Sequence, residues 1–177
     1  VQKSEMIRMI GERRLFPVYF GSALRLRGVR ELLRGVEQYT REKVYPTEFG
    51  AKVYKVTRDA GVRLTHIKIT GGSLKVKTVV DQGEKADQIR IYSGEKYEMV
   101  QDAKAGMVCA VTGLNYTYPG EGLGSEEDSE APALEPVLSY KIELPEGCDV
   151  HKMLGNLRIL EEEDPMLKIV WNEELGE

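Results

Sequence analysis

From residue 50 to residue 114 the sequence alternates short runs rich in Val, Ile, Thr and Tyr with glycine-bearing reversals, and no stretch of helical period interrupts them. Strands are predicted at 50–56 and 63–70 around the turn RDAG, then, after GGS, at 74–80, 86–92, 96–100 and 106–114. Short antiparallel strands at near-regular spacing are most stable when closed on themselves, because closure hides edges that would otherwise pair with other chains. The predicted centre is therefore a closed antiparallel β-barrel over residues 45–135.

The two ends read differently. FPVYFGSALRLRGVRELLRGVEQY, residues 16–39, is an apolar run, a Gly-Ser break and a helix with Val29, Leu32, Leu33, Val36 and Tyr39 on one face. Strand, loop and helix of this kind belong on a parallel sheet with both flanks covered, yet only some fifteen residues precede the strand. The helix is expected to dock on the barrel, on the C-terminal unit or on a second copy of the chain. Beyond the barrel, YPGEGLGSEEDSEAPALEPV reads as a loop or linker and VLSYKIELP as a strand. Asp149 then caps a helix carrying Val150, Met153, Leu154, Leu157 and Leu160, Pro165 ends it, and MLKIVW supplies another strand. The fold class expected is mainly β with α+β ends.

Charge is divided along the chain. Residues 1–120 hold 21 Lys or Arg against 13 Asp or Glu, whereas residues 121–177 hold 4 against 16. The basic part suits a polyanion, since each neutralised phosphate releases counterions, and the acidic part suits a protein surface. Two domains with unrelated surfaces would show the same division. Hydrophobic content of 41% and charged content of 31% are ordinary for globular proteins. No apolar run approaches the ~20 residues of a membrane span, and nothing resembles a signal peptide. A cytoplasmic segment of a longer chain is expected.

Cys109 and Cys148 have no second ligand at CxxC spacing, so reduced, structural thiols are expected. His66 and His151 are solitary as well. No metal site is expected, and no carboxylate pair or nucleophile with its base marks a catalytic set.

Three stretches, in a fixed order, resemble the ribosome-dependent translational GTPases of the elongation factor G type. FGSAL resembles the loop that closes over guanine. RLTHIKITGGSLKVK and EKYEMVQDAKAGMVCAVTGL resemble the second domain, a barrel, and PVLSYKIELPEGCDVHKMLGNLRILEEEDPMLKIVW resembles the first half of the third. The form RLTHIKITGGSL is similar to that of the tetracycline-resistance ribosomal protection proteins within this family.

The resemblance implies three parts: residues 1–44 as the C-terminal remnant of a GTP-binding domain, 45–135 as the barrel, and 136–177 as a partial ferredoxin-like β-α-β unit. It implies that Ser22, Ala23 and Leu24 are a guanine-loop remnant, and that GTP and magnesium belong to the parent protein. The sequence contains neither GxxxxGK[ST] nor NKxD, so neither cofactor nor hydrolysis is expected of this chain. The implied partners are small-subunit ribosomal RNA for the barrel and a ribosomal protein for the last unit. Arg58, Arg63, Lys68, Lys75 and Lys77, on two adjoining hairpins, are the candidate RNA contacts, although a solvated strand face would look the same.

The acidic helix end LEEEDP opposes the helix dipole, which suits either a basic ribosomal protein or a solubilising terminus. Self-association through the two ends is a further expectation. The alternative is a free-standing barrel module that binds RNA or protein without nucleotide.

Overall fold

The computed structural model describes residues 2–41, 43–80, 83–130 and 136–173. The chain divides into two compact units, Val1–Val44 and Tyr45–Glu177.

In the second unit, β1 (Gly50–Asp59) and β2 (Val62–Gly71) form a long antiparallel hairpin. Alternation decides its faces: Val53, Ile67 and Ile69 are fully buried, while Lys55, His66 and Lys68 point the other way. A register shift between Val53 and Lys55 makes a bulge at Tyr54. The remaining strands are β3 (Ser73–Lys75), β4 (Gln88–Ser93), β5 (Lys96–Val100), β6 (Asp102–Lys104), β7 (Val108–Thr112) and β8 (Gly122–Gly124). Six of these eight strands form an antiparallel sheet in the order β5-β4-β7-β2-β1-β8, and β3 pairs with β6 in a separate ribbon.

The ladder does not run round a full circle, since β5 and β8 are its edges. What closes the structure is a shared interior. Leu74 and Ala103, opposite each other in the ribbon, are fully buried in one cluster with Val53, Ile67, Ile89, Val111 and Leu123. Main-chain bonds tie ribbon to sheet, among them Ala105 N to Gly72 O at 2.9 Å and Lys77 N to Ala86 O at 2.7 Å. The expected strand at 74–80 shrinks to Ser73–Lys75, because Lys77 takes a left-handed φ of 67° that turns the chain out of the ladder.

Part of the expected linker proves to be structure. β8 pairs along β1, and Leu123 enters the core at 1% exposure. Gly124, with φ 67°, lies so close to Phe49 O that a side chain could not replace its hydrogen. Residues 131–135 of that linker lie outside the described residues.

The C-terminal helix α3 (Val150–Glu163) forms as its spacing predicts. Asp149 caps it, accepting from Lys152 N at 3.1 Å, and Pro165 opens a single 3-10 turn (Pro165–Leu167) after its end. The two flanking strands do not form: the described residues 136–144 and 168–173 join no ladder, and Val137, Tyr140 and Val170 are over 80% exposed. A strand exists only through its neighbour's backbone bonds, and no described strand offers them.

The same correction applies to the first unit. Residues 16–20 are irregular rather than a strand, with Phe16, Val18 and Phe20 exposed. Helix α2 (Val29–Tyr39) is present, and its apolar residues Leu32, Leu33 and Val36 are half exposed. A helix α1 (Lys3–Gly11), which the sequence did not suggest, is braced by Arg8 ion pairs to Glu5 at 2.6 Å and Glu12 at 2.7 Å. No described helix is long and apolar enough to cross a membrane.

Candidate functional site

The five candidate cations occupy unlike environments. Arg63 is at an inward position at one end of the barrel, its side chain only 8% exposed. Its guanidinium donates to Leu114 O at 2.5 Å, Thr117 Oγ1 at 3.0 Å, Thr65 Oγ1 at 3.1 Å and also to Thr117 O. It is thus committed to holding the 114–117 loop. Arg58, its cross-strand partner, and Arg63 both donate to Glu162 Oε2 on α3, at 2.8 and 3.2 Å. This bond cluster joins helix to barrel and borders an open cleft of about 440 Å³ lined by Tyr116, Tyr118, Arg158 and Glu161.

Glu161 is spent internally as well. It accepts from Arg158 at 2.5 Å and from Ile169 N at 2.7 Å, contacts that hold its carboxyl below the usual range. The acidic helix end therefore has a structural use that the sequence did not disclose.

Lys68 donates to Gly106 O and is half-buried. Lys77 pairs with Asp87 at 2.6 Å on the surface. Lys75, opposite Asp102 in the ribbon, is exposed and makes no ion pair among the described residues.

Ser22, Ala23 and Leu24 lie in a hexapeptide loop closed by a bridge between Ser22 and Arg27, with N to O distances of 2.9 and 3.1 Å. Leu26 N also bonds Ala23 O at 3.1 Å. These bonds leave the Ala23 and Leu24 amides unused, and Leu24 is 95% exposed. Gly28, φ 73°, makes the tight crossing that returns the chain to α2, since a Cβ there would strike Phe20 O. A shallow hollow of about 230 Å³ beside the loop is lined by Tyr19, Phe20, Ser22, Arg27 and Leu32.

Sequence reasoning missed a third feature. On the outer face of the sheet, Tyr54, His66, Tyr92 and Tyr97 form a row with ring centroids 6.0, 6.3 and 5.3 Å apart in turn. Arg90 lies 4.5 Å from the Tyr97 centroid. His66 Nε2 meets Thr57 Oγ1 at 2.7 Å, and burial, helped by Lys55, pushes its pKa down, keeping it neutral at pH 7. The rings fall on two hairpins, β1–β2 and β4–β5, that are joined only through β7, which pairs with β2 and β4, so only the register reveals the row.

No family model matches the chain. It is 31% identical over 194 residues to elongation factor G of Ureaplasma urealyticum, with 92% of this chain and 28% of the relative covered. It is 30% identical over 201 residues to elongation factor G 1 of Bdellovibrio bacteriovorus, covering 94% and 28%, and 29% identical to elongation factor G 2 of Syntrophus aciditrophicus, covering 100% and 31%. A solved structure, that of ttk003000868 from Thermus thermophilus, superposes with a TM-score of 0.74 at 25% identity, covering 98% of this chain and 28% of the other. The chain spans less than a third of the length of these curated relatives, and over that span it belongs to the elongation factor G family.

Proposed function

We propose that this chain is the ribosome-facing middle of a ribosome-dependent GTPase of translation, in which the barrel rests on small-subunit RNA and residues 136–177 meet a ribosomal protein. The observation that carries this reading is the match along 92% of the chain or more to elongation factors G, with a loop, a barrel and a capped helix in one order. In this reading the parent works in the cytoplasm and couples hydrolysis to movement on the ribosome, and the RLTHIKITGGSL form favours the tetracycline-protection branch.

GTP and magnesium belong to the parent's nucleotide domain. The braced loop at Ser22, Ala23 and Leu24 fits a base edge, with two free amides and a hollow beside them. The residues of this chain do not fit the phosphates or the metal: the sequence has no phosphate loop, and the described residues hold no group of three His, Cys, Asp or Glu suited to an ion. Two amide bonds supply about 1 kcal/mol each, far short of nucleotide binding. The purified chain is expected to show no GTP hydrolysis above buffer, with or without ribosomes. Turnover that tracks the protein through successive columns would refute this.

The RNA reading rests on exposed charge. Arg63 is spent in the barrel, so the expected contacts narrow to Lys75 and Lys77, with Lys68 and Arg58 at the margin. Reversing Lys75 and Lys77 to Glu is predicted to weaken cosedimentation with small ribosomal subunits about tenfold or more. It also lowers the salt slope by about 0.9 for each lost phosphate contact. An unchanged slope would remove both lysines from the interface.

A further inference from the structure

We propose that the outer face of the barrel sheet is a stacking platform for unpaired RNA bases, with Tyr54 and Tyr97 as its two open rings. This deepens the ribosomal reading above and rests on it for the identity of the RNA. Antiparallel register, not proximity alone, sets the face. His66 lies opposite Lys55 and Ala110, Ala110 lies opposite Arg90, and Tyr92 lies opposite Tyr97, so all these side chains share one side of the sheet.

Two properties select a single-stranded polyanion. The first is the row of rings. Tyr54 and Tyr97 are 49% and 42% exposed at its two ends, with His66 and Tyr92 half-buried between them over the buried Ala110. Tyrosine and histidine rings on an open sheet stack bases without reading their edges.

The second is charge. The strand register adds Lys52, Lys55, Lys68 and Arg90 to this face against two carboxylates at its margins, Asp59, 3.9 Å from Arg90, and Glu126, 3.6 Å from Lys52. Lys68 donates to Gly106 O, Arg90 is buried, and Lys55 is the exposed cation beside the rings. Cations interleaved with rings bind phosphate and base together, whereas a double helix would offer the rings no open base. An acidic protein surface would use the cations but gain little from the ring faces.

The test uses the whole chain and a fluorescein-labelled oligouridine of about 10 nucleotides, within the site sizes that such surfaces bind. Tyr54→Ala and Tyr97→Ala are each expected to weaken binding about 5- to 100-fold. The Phe variants should bind as the parent chain does, and an RNA duplex should compete poorly. Melting temperature, measured alongside, separates loss of the face from loss of the fold, and the Phe variants preserve the test if an Ala variant fails to fold.

An oligonucleotide that does not bind, or one that binds the folded Ala variants unchanged, overturns the proposal. Cosedimentation of the same variants with small subunits keeps the two readings apart. Oligouridine binding with no ribosome binding would leave the platform and remove the ribosomal reading. Loss of ribosome binding in the Ala variants of a parent chain that itself does not bind oligouridine would do the reverse and assign the face to protein.

Discussion

Arg63→Ala should destabilise the barrel unit by about 2 to 4 kcal/mol, because it removes a buried charged donor whose hydrogen bonds are worth roughly 1.5 to 3 kcal/mol each. The loss is large because the guanidinium serves a loop rather than a single partner. Its removal strands the carbonyl of Thr117 and leaves that of Leu114 with only a long 3.4 Å bond from Thr65 Oγ1, while the Thr65 and Thr117 hydroxyls keep their mutual bond at 2.8 Å. Each buried polar group left without a partner costs roughly 1 to 3 kcal/mol. Arg63→Lys should recover little, since an ammonium on a flexible stem cannot fork between two carbonyls. Glu162→Gln should cost under about 1 kcal/mol, because that carboxylate is partly exposed and Arg63 keeps its barrel bonds without it. Urea unfolding of the three variants decides the matter. If Arg63→Ala fell within about 1 kcal/mol of the parent, the guanidinium would not be what holds the 114–117 loop.

This contrast explains what the sequence could and could not disclose. The strand at residues 96–100, the cap at Asp149 and the stop at Pro165 were legible because each rests on neighbours a few residues away. Arg63 was not, because an arginine beside a turn looks like a solvated cation until the pairing register turns it inward. Five cations that look alike in a string divide into a buried clamp at Arg63, ion pairs at Arg58 and Lys77, a backbone donor at Lys68 and an open charge at Lys75. The aromatic row was hidden for the same reason, as Tyr54 and Tyr97 stand 43 residues apart. The expected strands at 16–20, 137–145 and 166–171 failed in the opposite direction. Their composition favours extension, but composition supplies no backbone partner, and a two-residue period without a neighbour is not a sheet.

Cys109 offers a chemical reading of the same core. It sits on β7 opposite Ile67 at 3% exposure, and burial pushes its thiol up to about 12 from an ordinary value of 9.0. Three units leave about one-thousandth of the usual thiolate at a given pH below both values, and only the thiolate is alkylated. Iodoacetamide at about pH 8.5 should therefore label the half-buried Cys148 about 100-fold or more faster than the buried Cys109 in the native chain. In urea above the midpoint the two rates should converge. The direction of the pH effect on stability follows from the same shift. The neutral thiol is the native form, so its contribution is complete below about pH 9 and declines as the pH rises toward 12, where the unfolded chain alone gains by ionising. Cys109→Ala should remove that alkaline loss while costing a small cavity at every pH. Native rates within tenfold of each other, read peptide by peptide by mass spectrometry, would mean that β7 opens far more often than its place between β2 and β4 implies.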